Sequence, residues 1–250
     1  MNIEKIFSKG YQLFVQTFTT VAPVIVLYSL FNAGLSIALD YIFGTTNNMD
    51  DLLNSPLSSE EIPEINSIGI LLNYFILSLC QMIYYVAFIQ FIFSKIYKTD
   101  LKFNLSMSIN SAFKIIGIYV LVTGVPLVIS IILADSGLLF MLGFFILYLI
   151  THFAPYFIIN QNKNIIESML LSYDLIKNNT FNYLLLRGMH LIITFIMLIL
   201  FLQFYSLQIV FLLIPIIIGF GTYLMWIFDV YFYCLANNDT NTLISDYIDE

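Results

Sequence analysis

Six apolar runs, each long enough to cross a lipid bilayer and nearly free of charge, leave few folds open to this chain. A hydrocarbon layer ~30 Å thick takes ~20 residues of helix. The runs fall at 20–43, 68–94, 115–134, 137–159, 183–204 and 207–235. They are apolar on all sides rather than alternating, so they do not suit the strands of a closed barrel. In lipid the backbone polar groups must be satisfied within each segment, which a helix achieves. Composition agrees, since 60% of the residues are hydrophobic and only 10% charged, whereas a soluble domain carries about 25% charge. The predicted class is an all-α membrane protein with six transmembrane helices, forming a single integral membrane domain over residues 1–250. The first run has no charge from Val21 to Leu39. It is too long for a signal-peptide core, lacks a following small-x-small cleavage site, and is expected to stay as an anchor.

Two connections are very short, Ala134-Asp135-Ser136 and Tyr205-Ser206. Each flanking pair reads either as a hairpin or as one long broken helix, and the combined length of each pair favours hairpins. The six spans then group into three hairpins. Orientation follows from the cations, because Lys and Arg beside short loops resist translocation. Lys5 and Lys9 precede the first span, Lys95, Lys98, Lys102 and Lys114 flank the second connection, and Lys163, Lys177 and Arg187 flank the fourth. The outward loop, 44–67, holds no Lys or Arg but five acids, Asp50, Asp51, Glu60, Glu61 and Glu64. All nine cations are therefore expected on the cytoplasmic face, together with both termini and the acidic tail 237–250.

Each hairpin is preceded by a cytoplasmic-side stretch with amphipathic character. In Asn164–Asn178 the apolar Ile166, Met169, Tyr173 and Ile176 share one helical face, and Asn164, Glu167, Ser168, Asp174 and Lys177 the other. Asn164 and Glu167 have the spacing of a capping box. Ile3, Phe7, Tyr11, Phe14 and Phe18 repeat the pattern at the N-terminus. Leu101–Lys114 fits either period, with Phe103, Leu105, Met107 and Ile109 alternating as in a strand and Leu105, Ile109, Ala112 and Ile116 spaced as in a helix; its neighbours favour helix. Such segments either lie along the inner headgroup layer or pack on the bundle as connectors.

The stretch from Phe153 to Asn179 runs from an Ala-Pro pair at 154–155 through a polar turn, Asn160-Gln-Asn-Lys-Asn164, to Ser168-x-x-x-Ser172. This region resembles the signature of the YciC family of bacterial inner-membrane proteins, and the chain length, six spans and long first outward loop are similar in layout. The resemblance implies an uncharacterised multi-pass protein of a gammaproteobacterial inner membrane and brings no catalytic residues. The chain departs from the family in being rich in Phe, Tyr, Ile and Asn and poor in Ala.

Polar groups inside the spans are where chemistry is to be sought, since each is costly there and needs a partner. His152, His190 and Asp229 lie ~10 Å into the inner leaflet at 1.5 Å per residue, with Arg187 one turn nearer the surface than His190 on the same face. Asp229 is expected to pair with Arg187 or His190, fixing the last hairpin; with His152 added, the cluster reads instead as a proton or anion site. Gln81, Gln90 and Asn73 are candidates for hydrogen bonds between helices. Pro23, Pro126 and Pro215 are expected to loosen three helices. Tyr41, Tyr74, Tyr97 and Tyr183 at span ends suit interfacial anchors.

Metal hydrolase, nucleophile-elbow and phosphate-loop motifs are absent from the sequence. Cys80 and Cys234 lie inside apolar segments, where a thiol behaves as a small hydrophobe, so neither disulfide nor metal is expected. No enzyme activity, cofactor or nucleic-acid partner is expected; membrane lipids, and other membrane proteins, are. The leading reading is a non-enzymatic structural, assembly or envelope lipid-homeostasis factor. The alternative is a small transporter or channel with a polar site near the fourth to sixth spans.

Overall fold

A computed structural model of the chain describes residues 3–43, 67–99, 105–132, 137–204 and 210–237. The described residues form eight helices: α1 (Ile3–Phe43), α2 (Ser67–Ile96), α3 (Leu105–Ile132), α4 (Leu138–Ile150), α5 (Ala154–Gln161), α6 (Ile165–Asn178), α7 (Thr180–Phe204) and α8 (Val210–Ala236). Six stretches within them are long and apolar enough to span a membrane, with α4 and α5 together making the fourth. The acidic loop up to residue 66, the tail from 238, Lys102 and the two short connections at 134–136 and 205–206 lie outside the described residues.

The first two amphipathic stretches are not separate helices. Residues 3–18 run without interruption into the first span, making α1 41 residues long, or ~60 Å, about twice the hydrocarbon thickness. No proline falls between Ile3 and Pro23 to break it, and continuing a formed helix is easier than nucleating a second one. Leu105–Lys114 is helical, not a strand, and is likewise the start of α3.

α6, by contrast, is a helix of its own. Asn162 closes α5 in the left-handed conformation (φ 52°), and Asn164 caps α6 by accepting the Glu167 backbone N–H at 2.8 Å. The reciprocal half of the expected capping box is missing, because the Glu167 carboxylate accepts from Lys163 Nζ at 2.6 Å instead. The face that α6 buries against the bundle is mixed. Ser168 and Ser172 are fully buried with Leu175 and Ile176 at their side, whereas Ile166, Leu170 and Tyr173 point outward. Small hydroxyl side chains let two helices approach closely, and large apolar ones gain nothing by turning inward where the surrounding solvent is lipid.

α8 lies at the centre of the packing, against α1, α2 and α7. Two glycines make its contact with α1 close: a Cβ on Gly10 would sit 2.5 Å from the Phe228 ring, and one on Gly219 2.6 Å from Ile25. α1 also packs on α2, α2 on α3, and α3 on α4, so contacts run around the bundle and do not mark off three pairs. Phe7 meets Phe228 edge-on with centroids 5.2 Å apart, the Tyr97 hydroxyl is 3.4 Å from Cys234 Sγ, and Lys114 Nζ donates to Asn162 at 3.0 Å. These contacts bring Lys5, Lys9, Lys95, Lys98, Lys114 and Lys163 to one end of the bundle, where both described termini lie. The tightest core is at this end, around Ile6, Ile92, Ile115, Phe157 and Phe232. At the other end, Ile37, Tyr41, Ile68 and Ile132 are largely exposed.

Candidate functional site

Pro155 creates the site by what it lacks. Without an N–H it cannot donate to the Thr151 carbonyl, and its ring crowds that turn, so the fourth span breaks at Thr151–Phe153 between α4 and α5. Breaking a helix in lipid strands backbone groups, and side chains around the break supply partners. Thr151 folds its own hydroxyl back onto Leu147 O at 2.6 Å. Tyr183 on α7 donates to Leu149 O at 3.1 Å. The Ser172 hydroxyl on α6 donates to Ile150 O at 2.8 Å and accepts the Phe153 N–H at 3.0 Å, stapling both sides of the break. The break leaves His152 turned toward α7 and α8.

Asp229, 3% exposed on α8, faces it. His152 Nε2 lies 3.1 Å from Asp229 Oδ2, and His190 Nε2 on α7 lies 3.6 Å from Oδ1. These are ion-pair distances without the alignment of hydrogen bonds. Tyr156 on α5 donates to Oδ2 at 3.2 Å. The four residues named from sequence are thus brought together: of the two partners expected for Asp229, His190 makes the approach, and Arg187 is linked to the carboxylate only indirectly. Arg187 Nη1 lies 3.1 Å from His190 Nδ1, and Nε donates to the Tyr183 hydroxyl at 3.1 Å. The rings of Tyr148 and Tyr183 lie 5.8 and 5.3 Å from the guanidinium carbon. One turn of α7 sets Arg187 beside its own His190, and that imidazole occupies the place between Arg187 and the carboxylate.

A lone buried carboxylate costs several kcal/mol; here it faces two imidazoles, a phenol and a nearby permanent cation. The spare capacity lies on the donor side, since Arg187 Nη2 is buried with no hydrogen-bond partner. It lines a cavity of about 420 Å³ whose wall includes His152, His190, Asp229, Tyr148 and Tyr156. Phe145 on α4 and Leu191 on α7 also line this cavity and are more than half exposed on the outside of the bundle. Among the described residues α4 packs on α3 and α6 and makes at most marginal contact with α7. The cavity therefore opens sideways between α4 and α7, toward the medium that surrounds the spans.

Tyr148, Tyr156, Tyr183 and Ser172 complete the site and were not singled out for it by sequence spacing. Tyr183, expected as an interfacial anchor, is instead buried and holds Arg187; Tyr41 and Tyr74 are exposed, as anchors would be. Ser172 carried a signal in the Ser-x-x-x-Ser pattern, without a hint of what it bonds. Of the other polar candidates, Gln90 accepts a hydrogen bond from Ser108 across α2 and α3 at 3.4 Å, and Asn73 is buried. Both cysteines are free thiols. Among the described residues no group of three or more His, Cys, Asp or Glu is disposed to hold a metal ion. No family model, no curated protein and no solved structure matches this chain.

Proposed function

We propose that this protein is a non-enzymatic lipid-homeostasis factor of a bacterial inner membrane, with both termini cytoplasmic, that binds the anionic headgroup of a phospholipid in the cavity at Arg187. The observation that carries the reading is a half-buried guanidinium whose buried Nη2 is an unused donor, in a cavity that opens sideways between α4 and α7. An amphiphile can enter such a cavity headgroup first while its acyl chains stay in lipid. Phosphate oxygens match a guanidinium fork, and neighbouring His152, His190 and Tyr156 add polar groups in a medium that competes poorly for hydrogen bonds. The positive-inside distribution of lysines supports the cytoplasmic assignment of the near end. The YciC-like signature is consistent with it, since residues 153–172 of that signature form the helix break and its staple.

The test is to extract the protein with its native lipid and compare its bound phospholipids with those of the bulk membrane. Enrichment of an anionic phospholipid is expected, with affinity reduced about tenfold or more in Arg187→Gln, the value of a lost charge-assisted hydrogen bond. Millimolar inorganic phosphate should fail to displace it. Bound lipid matching the bulk composition would sink the reading; displacement by phosphate alone would assign the site to a soluble anion. That last outcome corresponds to a second reading, a small transporter, which the discontinuous fourth span favours.

A further inference from the structure

The cavity at Arg187 has a neighbour. A second cavity, of about 530 Å³, lies between α1, α2, α3 and α8 and is lined by Ser29, Asn32, Gln81, Gly219 and Thr222 among others. Tyr85, Tyr119 and Trp226 line both cavities, so a single layer of aromatic side chains separates them. Tyr85 and Trp226 meet edge-to-face with centroids 5.0 Å apart. On α8 the residues lining the two spaces include Gly219, Thr222, Trp226 and Asp229, with Ile218 and Met225 beside them; the spacing of three, four and three puts the first four on one helical face. Counted back from Ala236, this stripe runs from ~10 Å to ~25 Å into the membrane, about half of the ~30 Å hydrocarbon layer and across its midplane. The upper space is polar as well. The Tyr28 hydroxyl and Asn32 Oδ1 are buried without a hydrogen-bond partner, and unsatisfied groups of this kind normally call for a ligand or water. Gln81 and Ile218 on its wall reach the exposed surface.

We propose that the two cavities are successive stations of one polar path along α8, by which a phospholipid headgroup exchanges between the two leaflets, with Tyr85, Tyr119 and Trp226 as the barrier between stations. The proposal rests on the reading of the Arg187 cavity as a headgroup site. The headgroup passes from the guanidinium to the amide and hydroxyl groups of Asn32, Gln81 and Thr222, while its chains remain in the surrounding lipid. Exchange is passive, driven by the lipid gradient alone, because the path needs no co-reactant. The aromatic layer supplies rings over which a headgroup passes and keeps the two polar spaces from joining into a water-filled pore.

The test uses the full-length protein in vesicles of phosphatidylethanolamine and phosphatidylglycerol with a trace of fluorescent phosphatidylglycerol, whose outer-leaflet share is bleached by a membrane-impermeant reductant. Protein should expose the protected inner-leaflet share to bleaching. Trp226→Ala, which thins the barrier, should speed this several-fold, and Thr222→Phe, which fills the upper cavity, should slow it several-fold. Two variants of opposite sign guard against simple misfolding, which would shift both the same way. Headgroup binding at Arg187 with no exchange by wild type would overturn the path and leave the binding site standing. Loss of binding as well would remove the foundation. Exchange at equal rates in all three proteins would place the path elsewhere and overturn the proposal.

Discussion

Asp229 shows how one residue is made tolerable inside a membrane. Its carboxylate meets His152, His190 and Tyr156 within 3.6 Å, and none of the three comes from its own helix. A carboxylate held this way depends on each partner, so changes at the partners should not add. Asp229→Asn and His152→Gln are each expected to cost about 1–2 kcal/mol of stability, and the double variant clearly less than the sum. A double-mutant cycle on thermal or denaturant unfolding in detergent checks this; strictly additive losses would mean that the 3.1 Å approach carries no energy. Arg187→Gln belongs to the same scale with a different outcome. Its Nη2 has no protein partner, so it should lose lipid more than it loses stability.

Among the elements, the broken fourth span is the most informative. Pro155 interrupts it, and Ser172 from α6 repairs both edges with two hydrogen bonds. Ser172→Ala removes a donor and an acceptor at once from groups that lipid cannot satisfy. A loss of about 1–3 kcal/mol is expected, together with faster hydrogen exchange at Phe153, while Ser172→Thr should retain much of the bonding. Unchanged exchange at Phe153 in the Ala variant would deny α6 its stapling role. The α1–α8 contact makes a parallel case. Gly10→Ala would drive a methyl against the buried Phe228 ring, an overpacking expected to cost about 1–3 kcal/mol, visible as a lowered unfolding midpoint. Both positions are single small residues at a helix crossing, where two elements approach closely.

For the molecule as a whole, the placement of the lysines at one end predicts topology. Reporter fusions or cysteine labelling should find residues 44–66 on the side of the membrane opposite Lys98 and both termini; a common side would overturn the six-span topology. The expectation arose from charge and apolar run length, quantities local to the chain, and so did the six spans and the independent α6 with its Asn164 cap. Cost in lipid is a property of each segment separately, which is why those features are legible without a partner in view. The same local logic named His152, Arg187, His190 and Asp229, because ionisable groups in an apolar run are conspicuous wherever they point. It left open whether Asp229 meets Arg187 or His190, left open which residues of α6 meet the bundle, misassigned Tyr183 to the interface and made the N-terminal stretch a separate helix. Each of these depends on which helix lies beside which: His190 intervenes between Arg187 and the carboxylate, Tyr183 faces the break rather than the headgroups, and the serines of α6 meet a backbone that only packing brings near. Periodicity separates apolar from polar faces, but in lipid the apolar face need not be the buried one, and contact between remote segments alone settles which face turns inward.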